Sequence, residues 1–154
     1  MAVTQVAYEV DGWGVGELWL DGGRVVWHEL PFPRATTPNG AGGELVRRLQ
    51  AYFGGSPDSF ADVDLDLEYE TPFLERCANE LRAIPRGDVV TYGELAALAG
   101  APGAARAAGS FCARIRLGLF VPCHRVVSAG GLGSYGSYGV EYKRRLLEVE
   151  GVTL

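Results

Sequence analysis

The hydrophobic period of this sequence changes part-way along the chain, and that change constrains the fold more than any other feature. Over residues 2–32 the runs VTQVAYEV, GVGELWL and RVVWHEL alternate apolar and polar residues, with DGW and DGG between them. Alternation of period two predicts half-buried strands, and the glycine–aspartate pairs predict tight turns joining them. From Thr71 the pattern becomes helical: PFLERCANELRAI is amphipathic, with Pro72 in its first turn, where a missing N–H costs nothing. Strands followed by helices predict an α+β protein.

The remainder of the first half fits this reading. Residues 31–43, PFPRATTPNGAGG, are predicted as a loop, and ELVRRLQAYFGG as a helix with Leu45, Leu49 and Phe53 at four-residue spacing. ADVDLDLEYE alternates again and is expected to be an acidic-faced strand. Residues 1–68 are therefore expected to form a small N-terminal sheet-and-helix domain. His28 lies in a strand pattern with no other Cys or His near it, which favours a structural histidine over a metal ligand. Residues 69–154 are expected to form a second, mostly helical domain.

Charge divides along the same line. Residues 1–70 hold four Arg against twelve Asp and Glu (net −8), whereas residues 71–154 hold nine Arg and one Lys against seven acids (net +3). The basic half is the candidate for meeting a polyanion. MAVTQVAYEV lacks the basic and long apolar regions of a signal peptide, and no apolar run approaches the roughly 20 residues of a membrane span. Three cysteines without a pairing pattern fit a reducing cytoplasm.

In the second half, Thr91 and Glu94 form a T-x-x-E capping box for a short helix ending at Gly100. Cys77 falls near the apolar stripe of the preceding helix and reads as core filler. After Ala101 and Pro102, GAARAAGSFCAR predicts a second helix, so the pair matches a helix-turn-helix. Ala104, Ala105, Ala107, Ala108 and Gly109 leave Arg106 as a long cation on a nearly bare surface. Such a surface serves either a close helix–helix contact or close approach to a duplex.

FVPCHRVVSAGG, residues 120–131, carries the chemistry. A zinc site is disfavoured, because three Cys and two His show no paired ligand spacing. A buried structural cysteine is possible but poorly suited to the His, Arg and glycine-rich loop that follow. A papain-like arrangement would require a distant second histidine, and only His28 is available. The fourth reading is a thiolate attacking an alkyl carbon, which needs a nearby base. In an extended strand His124 would point away from Cys123, so the turn at Pro122 or a bridging water would have to bring them together.

PCHRVV, preceded by the AARA helix and followed by GG…YG…EYKRRLLEVEG, resembles the O6-alkylguanine-DNA alkyltransferase family. The resemblance runs from about Ile84 to Val152; residues 1–68 are only loosely similar to the family's variable N-terminal domain. It implies that Cys123 accepts the alkyl group, that His124 draws off its proton through a water, and that Glu150 orients the histidine. It implies that Tyr92 helps swing out the target nucleotide and that Arg106, with Ala105 beside it, fills the vacated stack. Val126, Tyr135 and Ser137 would line the guanine pocket. Ile115 and Arg116 depart from the asparagine, often followed by proline, that the family usually carries there. The expected activity is irreversible, once-only transfer from O6-alkylguanine, and also O4-alkylthymine, in double-stranded DNA. No cofactor and no metal are expected, and the protein is expected to act as a monomer.

Overall fold

A computed structural model describes residues 2–40, 43–69 and 71–154. The chain divides into two compact units, one of residues 1–67 with 116–120, the other of residues 68–115 with 121–154.

In the first unit the three alternating runs form strands β1 (Val3–Val10), β2 (Gly14–Asp21) and β3 (Arg24–Phe32), joined as an antiparallel meander. Gly14 is required at its turn: its φ is +119°, and a Cβ there would lie 2.3 Å from the Phe32 backbone. Helix α1 (Gly43–Phe53) forms as expected, but its buried residues are Val46, Leu49, Tyr52 and Phe53. Val46 thus takes the inward position that the four-residue spacing assigned to Leu45, which is half-buried. The long acidic strand is not present. Only β4 (Asp64–Leu65) pairs, in parallel with Arg24 and Val25, and Glu70 lies outside the described residues. The acidic side chains instead serve arginines: Asp66 bonds Arg24 at 2.9 Å, and Asp58 and Asp62 hold Arg48 at 2.8 and 2.7 Å. The loop before α1 covers the β1 edge through Asn39, whose N–H and side chain bond the backbone of Gln5 and Ala7.

His28 is a structural histidine of this unit. Its Nε2 lies 2.5 Å from the Tyr8 hydroxyl, and its Nδ1 lies 2.8 Å from the Gly118 carbonyl. The carbonyl only accepts, so Nδ1 carries the proton and Nε2 accepts from tyrosine. Residues 116–120 are held there as well by the His28 N–H, which donates to the Arg116 carbonyl at 2.8 Å. Leu117, Leu119 and Phe120 are buried, Phe120 against the rings of His28 and Phe60. Burial lowers His28 from 6.5 to about 4. Between those pH values the unfolded chain binds a proton that the folded chain refuses. Stability should therefore rise with pH across that window, by about 3 kcal/mol from this group, and level off above pH 6.5. Urea unfolding of wild type and His28→Asn from pH 7.5 to 4.5 checks this: the variant should lose the slope, and equal slopes would exclude His28 as its source.

In the second unit, α2 (Pro72–Arg82) begins at Thr71, whose hydroxyl accepts from the Leu74 N–H, with Pro72 in the first turn. Cys77 is wholly buried on this helix, as core filler should be. The two-residue strand β5 (Val90–Thr91) leads into α3 (Tyr92–Leu98), where the Thr91–Glu94 capping box is formed in both directions. Gly100, at φ +85°, ends the turn after α3. Helix α4 (Ala105–Arg114) follows, packed against α3. Strand β6 (Val126–Val127) pairs in parallel with β5, and α5 (Val140–Val149) closes the unit.

Candidate active site

Pairing of β5 with β6 builds the site. It sets Val126 opposite Val90 and Val127 opposite Thr91, so the segment leaving Cys123 runs beside the residue that caps α3 and precedes Tyr92. Pro122 follows a turn at residues 118–121, and Cys123–Arg125 form a 3-10 turn, with the Arg125 N–H donating to the Pro122 carbonyl at 2.9 Å. The turn removes the strict alternation of a strand, and both Cys123 and His124 are buried, 7% and 0% exposed.

Glu150 sits at the end of α5, where its N–H bonds the Leu146 and Leu147 carbonyls and Gly151 (φ +84°) turns the chain away. It is buried, not a solvated helix-end charge. Its Oε2 accepts from His124 Nε2 at 2.8 Å, and the Arg125 guanidinium grips both carboxylate oxygens at 2.9 and 2.8 Å. A further Arg125 nitrogen donates to the Ile84 carbonyl at 2.7 Å. Burial alone would raise the Glu150 carboxyl, but the bonds from His124 and Arg125 outweigh it and hold Glu150 ionised far below the usual carboxylate range. Burial lowers His124, against the pull of Glu150, so the ring is neutral at pH 7. With its proton on Nε2, Nδ1 is an acceptor, and among the described residues that buried atom has no hydrogen-bond partner.

The Cys123 thiol is pushed well above its ordinary range, first by a hydrogen bond with Cys112 and then by burial. At rest it is therefore a thiol, and any reaction of its sulfur as a nucleophile requires a base. The positive charge of Lys143 acts the other way. Lys143 is wholly buried, donates to the Ser134 carbonyl at 3.2 Å, and stands 5.7 Å from the centre of the Tyr92 ring. Burial lowers its amine to about 8. Tyr92 hydrogen-bonds Ser134, and burial, its largest influence, raises its phenol and keeps it protonated. Gly133, at φ +77°, is needed for this approach: a Cβ there would lie 3.1 Å from the Tyr92 oxygen.

Tyr92, Ala105, Arg106, Gly109, Ser110, Ala113 and Ser134 line an open groove of about 560 Å³. Arg106 is exposed there and makes no hydrogen bond or ion pair among the described residues. Cys123, His124 and Glu150 are thus brought together, as are Tyr92, Ala105 and Arg106. Val126 is fully buried on β6; Tyr135 stacks on Tyr142 with ring centres 6.3 Å apart, and Ser137 is exposed. None of these three lines the groove, where Ser134 takes part instead. Sequence reasoning passed over Arg125, Lys143 and Ser134. Lys143 carried one signal: it stands seven residues before Glu150, two helical turns, on the same inward face.

Residues 72–152 match the profile of the 6-O-methylguanine DNA methyltransferase DNA-binding domain. A methylated-DNA–protein-cysteine methyltransferase of Mycobacterium leprae is 47% identical over 113 residues, 73% of this chain and 67% of that one. The chain belongs to this methyltransferase family. A second methylated-DNA–protein-cysteine methyltransferase, from Methanopyrus kandleri, is 41% identical over 80% of this chain and 94% of its own. Among solved structures, Mycobacterium tuberculosis OGT in complex with DNA superimposes with a TM-score of 0.80 at 37% identity, covering 96% of this chain and 92% of that one. As a methyltransferase with a DNA-binding domain, the chain has DNA as its partner class, and no helix among the described residues is long and apolar enough to cross a membrane.

Proposed function

We propose that this methyltransferase repairs duplex DNA by moving a methyl or small alkyl group from guanine O6, and from thymine O4, irreversibly onto Cys123. The observation that carries this reading is the polarity of His124. Glu150 occupies Nε2–H, leaving the buried Nδ1 lone pair without a partner among the described residues. Nδ1 draws the thiol proton through a water, and the resulting imidazolium is paired with a carboxylate that is already ionised. The sulfur attacks the alkyl carbon in line, an S–C bond forms as the C–O6 bond breaks, and the electron pair passes to guanine. Tyr92, still a phenol, donates a hydrogen bond to the departing base. The thioether does not revert, so each molecule reacts once.

The target base lies inside the stack and must leave it, at a cost of a few kcal/mol. Arg106, unpartnered on its small-residue helix, fills the gap from the minor groove with Ala105 beside it, and Val126, Tyr135 and Ser137, which lie outside the open groove, border the guanine only once it has turned in toward Cys123. The chemistry belongs to residues 69–154 as the alkyltransferase domain; residues 1–68 form the N-terminal α+β domain and supply no reacting group. The protein acts as a monomer in the cytoplasm.

Incubation with duplex DNA containing O6-methylguanine should add one methyl, about 14 Da, to the intact protein, and undamaged duplex should add nothing. No gain in folded protein would overturn the transferase reading and leave a module that only binds DNA. Arg106→Ala should slow repair in duplex DNA about tenfold or more, through the lost stack-filling, while reaction with free O6-benzylguanine keeps its rate. Equal losses on both substrates would refute that role.

A further inference from the structure

We propose that the outer face of the first unit's sheet is a docking groove for an arginine-bearing peptide segment of a partner protein. Successive residues of β2 and β3 point to opposite sides of the sheet. Leu18 and His28 are buried, whereas their neighbours Glu17, Trp19, Trp27 and Glu29 line an open groove of about 750 Å³. The pairing sets Trp19 opposite Trp27 and Glu17 opposite Glu29. A register shift interrupts the ladder on each side of these two pairs, between Val15 and Glu17 and again between Trp19 and Leu20. Bulges re-aim side chains, and the second leaves Val26 as an unpaired residue that joins the groove lining.

The Glu17–Glu29 pair is costly to the sheet itself, because like charges directly opposite each other across two strands repel. Both side chains are half-buried, and each is held by a neutral donor. The Thr36 hydroxyl donates to Glu17 Oε1 at 2.7 Å, and the Trp27 indole N–H donates to Glu29 Oε1 at 2.9 Å. The second bond also fixes the Trp27 ring, which meets Trp19 edge-on at 78°, with ring centres 6.5 Å apart. Trp27 remains 41% exposed and Val3, also on the lining, 50%. Arg34, the cation on the lining, is engaged at the Leu30 carbonyl at 3.1 Å. Two carboxylates thus face one cation, in a half of the chain where four Arg meet twelve Asp and Glu.

This chemistry selects a guanidinium. A planar cation stacks on an indole face and pairs with a carboxylate through parallel N–H···O bonds. Trp27 offers the face, and the opposed acids offer the carboxylates whose repulsion the cation relieves. The groove's form favours a peptide over a free small cation: it is open, and it reaches from Arg34 across the sheet to Val3 on the outer strand β1. Val3 and Val26 are there to cover apolar residues on either side of the arginine. The groove lies wholly within the first unit, so docking is independent of what Cys123 accepts.

The probe is a short fluorescein-labelled peptide, capped at both ends, with arginine flanked by leucine and glycine. Its control carries citrulline, which keeps the shape of arginine without the charge. Anisotropy with the full-length chain should show saturable binding of the arginine peptide and at least about tenfold weaker binding of the citrulline peptide. Glu17→Gln and Trp27→Ala should each weaken the arginine peptide about tenfold or more. Asp11→Asn, at an exposed turn outside the groove, should bind as wild type does. Glu17→Gln keeps an acceptor for Thr36 and removes the like-charge pair, so its urea midpoint should match or exceed that of wild type. A role confined to holding the sheet together would lower that midpoint and leave binding intact. Absence of saturable binding, undiminished binding by Glu17→Gln, or an equal loss in Asp11→Asn overturns the proposal. So does a wild-type chain that sediments as a dimer and becomes a monomer in Trp27→Ala, because the groove then holds a second copy.

Discussion

A Cys123→Ser protein should take up no measurable methyl from O6-methylguanine duplex, a loss of at least about a thousandfold, while binding that duplex as tightly as wild type. A serine hydroxyl is a far weaker nucleophile toward an alkyl carbon than a sulfur, and nothing around residue 123 compensates. His124 is lowered by burial and makes a modest base, adequate for a thiol and poorly matched to an alcohol. The substitution keeps the 3-10 turn, because that turn is held by backbone bonds at Val121 and Pro122. Intact mass reads the uptake and fluorescence anisotropy reads the binding. A Cys123→Ser protein that still gains a methyl would place the acceptor elsewhere, and Cys112, a free and half-buried thiol, would be the residue to map.

The second large effect is at Glu150. Glu150→Ala leaves the Arg125 guanidinium buried without its counter-charge, which costs about 3–5 kcal/mol of stability. Glu150→Gln retains an acceptor for Arg125 and is the more informative variant. Its alkylation rate should fall about a hundredfold, because the imidazolium formed at His124 no longer faces a carboxylate. Its pH profile separates this from mere loosening. The hydrogen bond that His124 donates to Glu150 raises the imidazole against burial; without it the ring resists protonation further, so the acid limb of the rate profile should move to lower pH. A lowered plateau with an unmoved acid limb would reduce Glu150 to a structural role.

What could be read from the sequence depended on how local the cause was. The capping box at Thr91 and Glu94, the proline start of α2 and the hairpin strands are written within a few neighbouring residues, and all are present. ADVDLDLEYE failed because alternation describes a side-chain pattern and not a pairing partner. Beyond Leu65 no strand continues beside it, and its acids are drawn to Arg24 and Arg48. The PCHRV motif announced its chemistry by resemblance, but the two-pronged grip of Arg125 on Glu150 and the burial of Lys143 depend on α5 folding back, which no local pattern states.

The excursion of residues 116–120 into the first unit has a consequence for how the protein can be taken apart. Leu117, Leu119 and Phe120 belong to one core while the residues on either side of them belong to the other. A gene fragment starting at residue 68 would carry in its middle a strip of apolar surface built for a body it no longer has. The start of the family profile at residue 72 is therefore a boundary of sequence likeness and not a line along which the chain could be cut into two autonomous pieces.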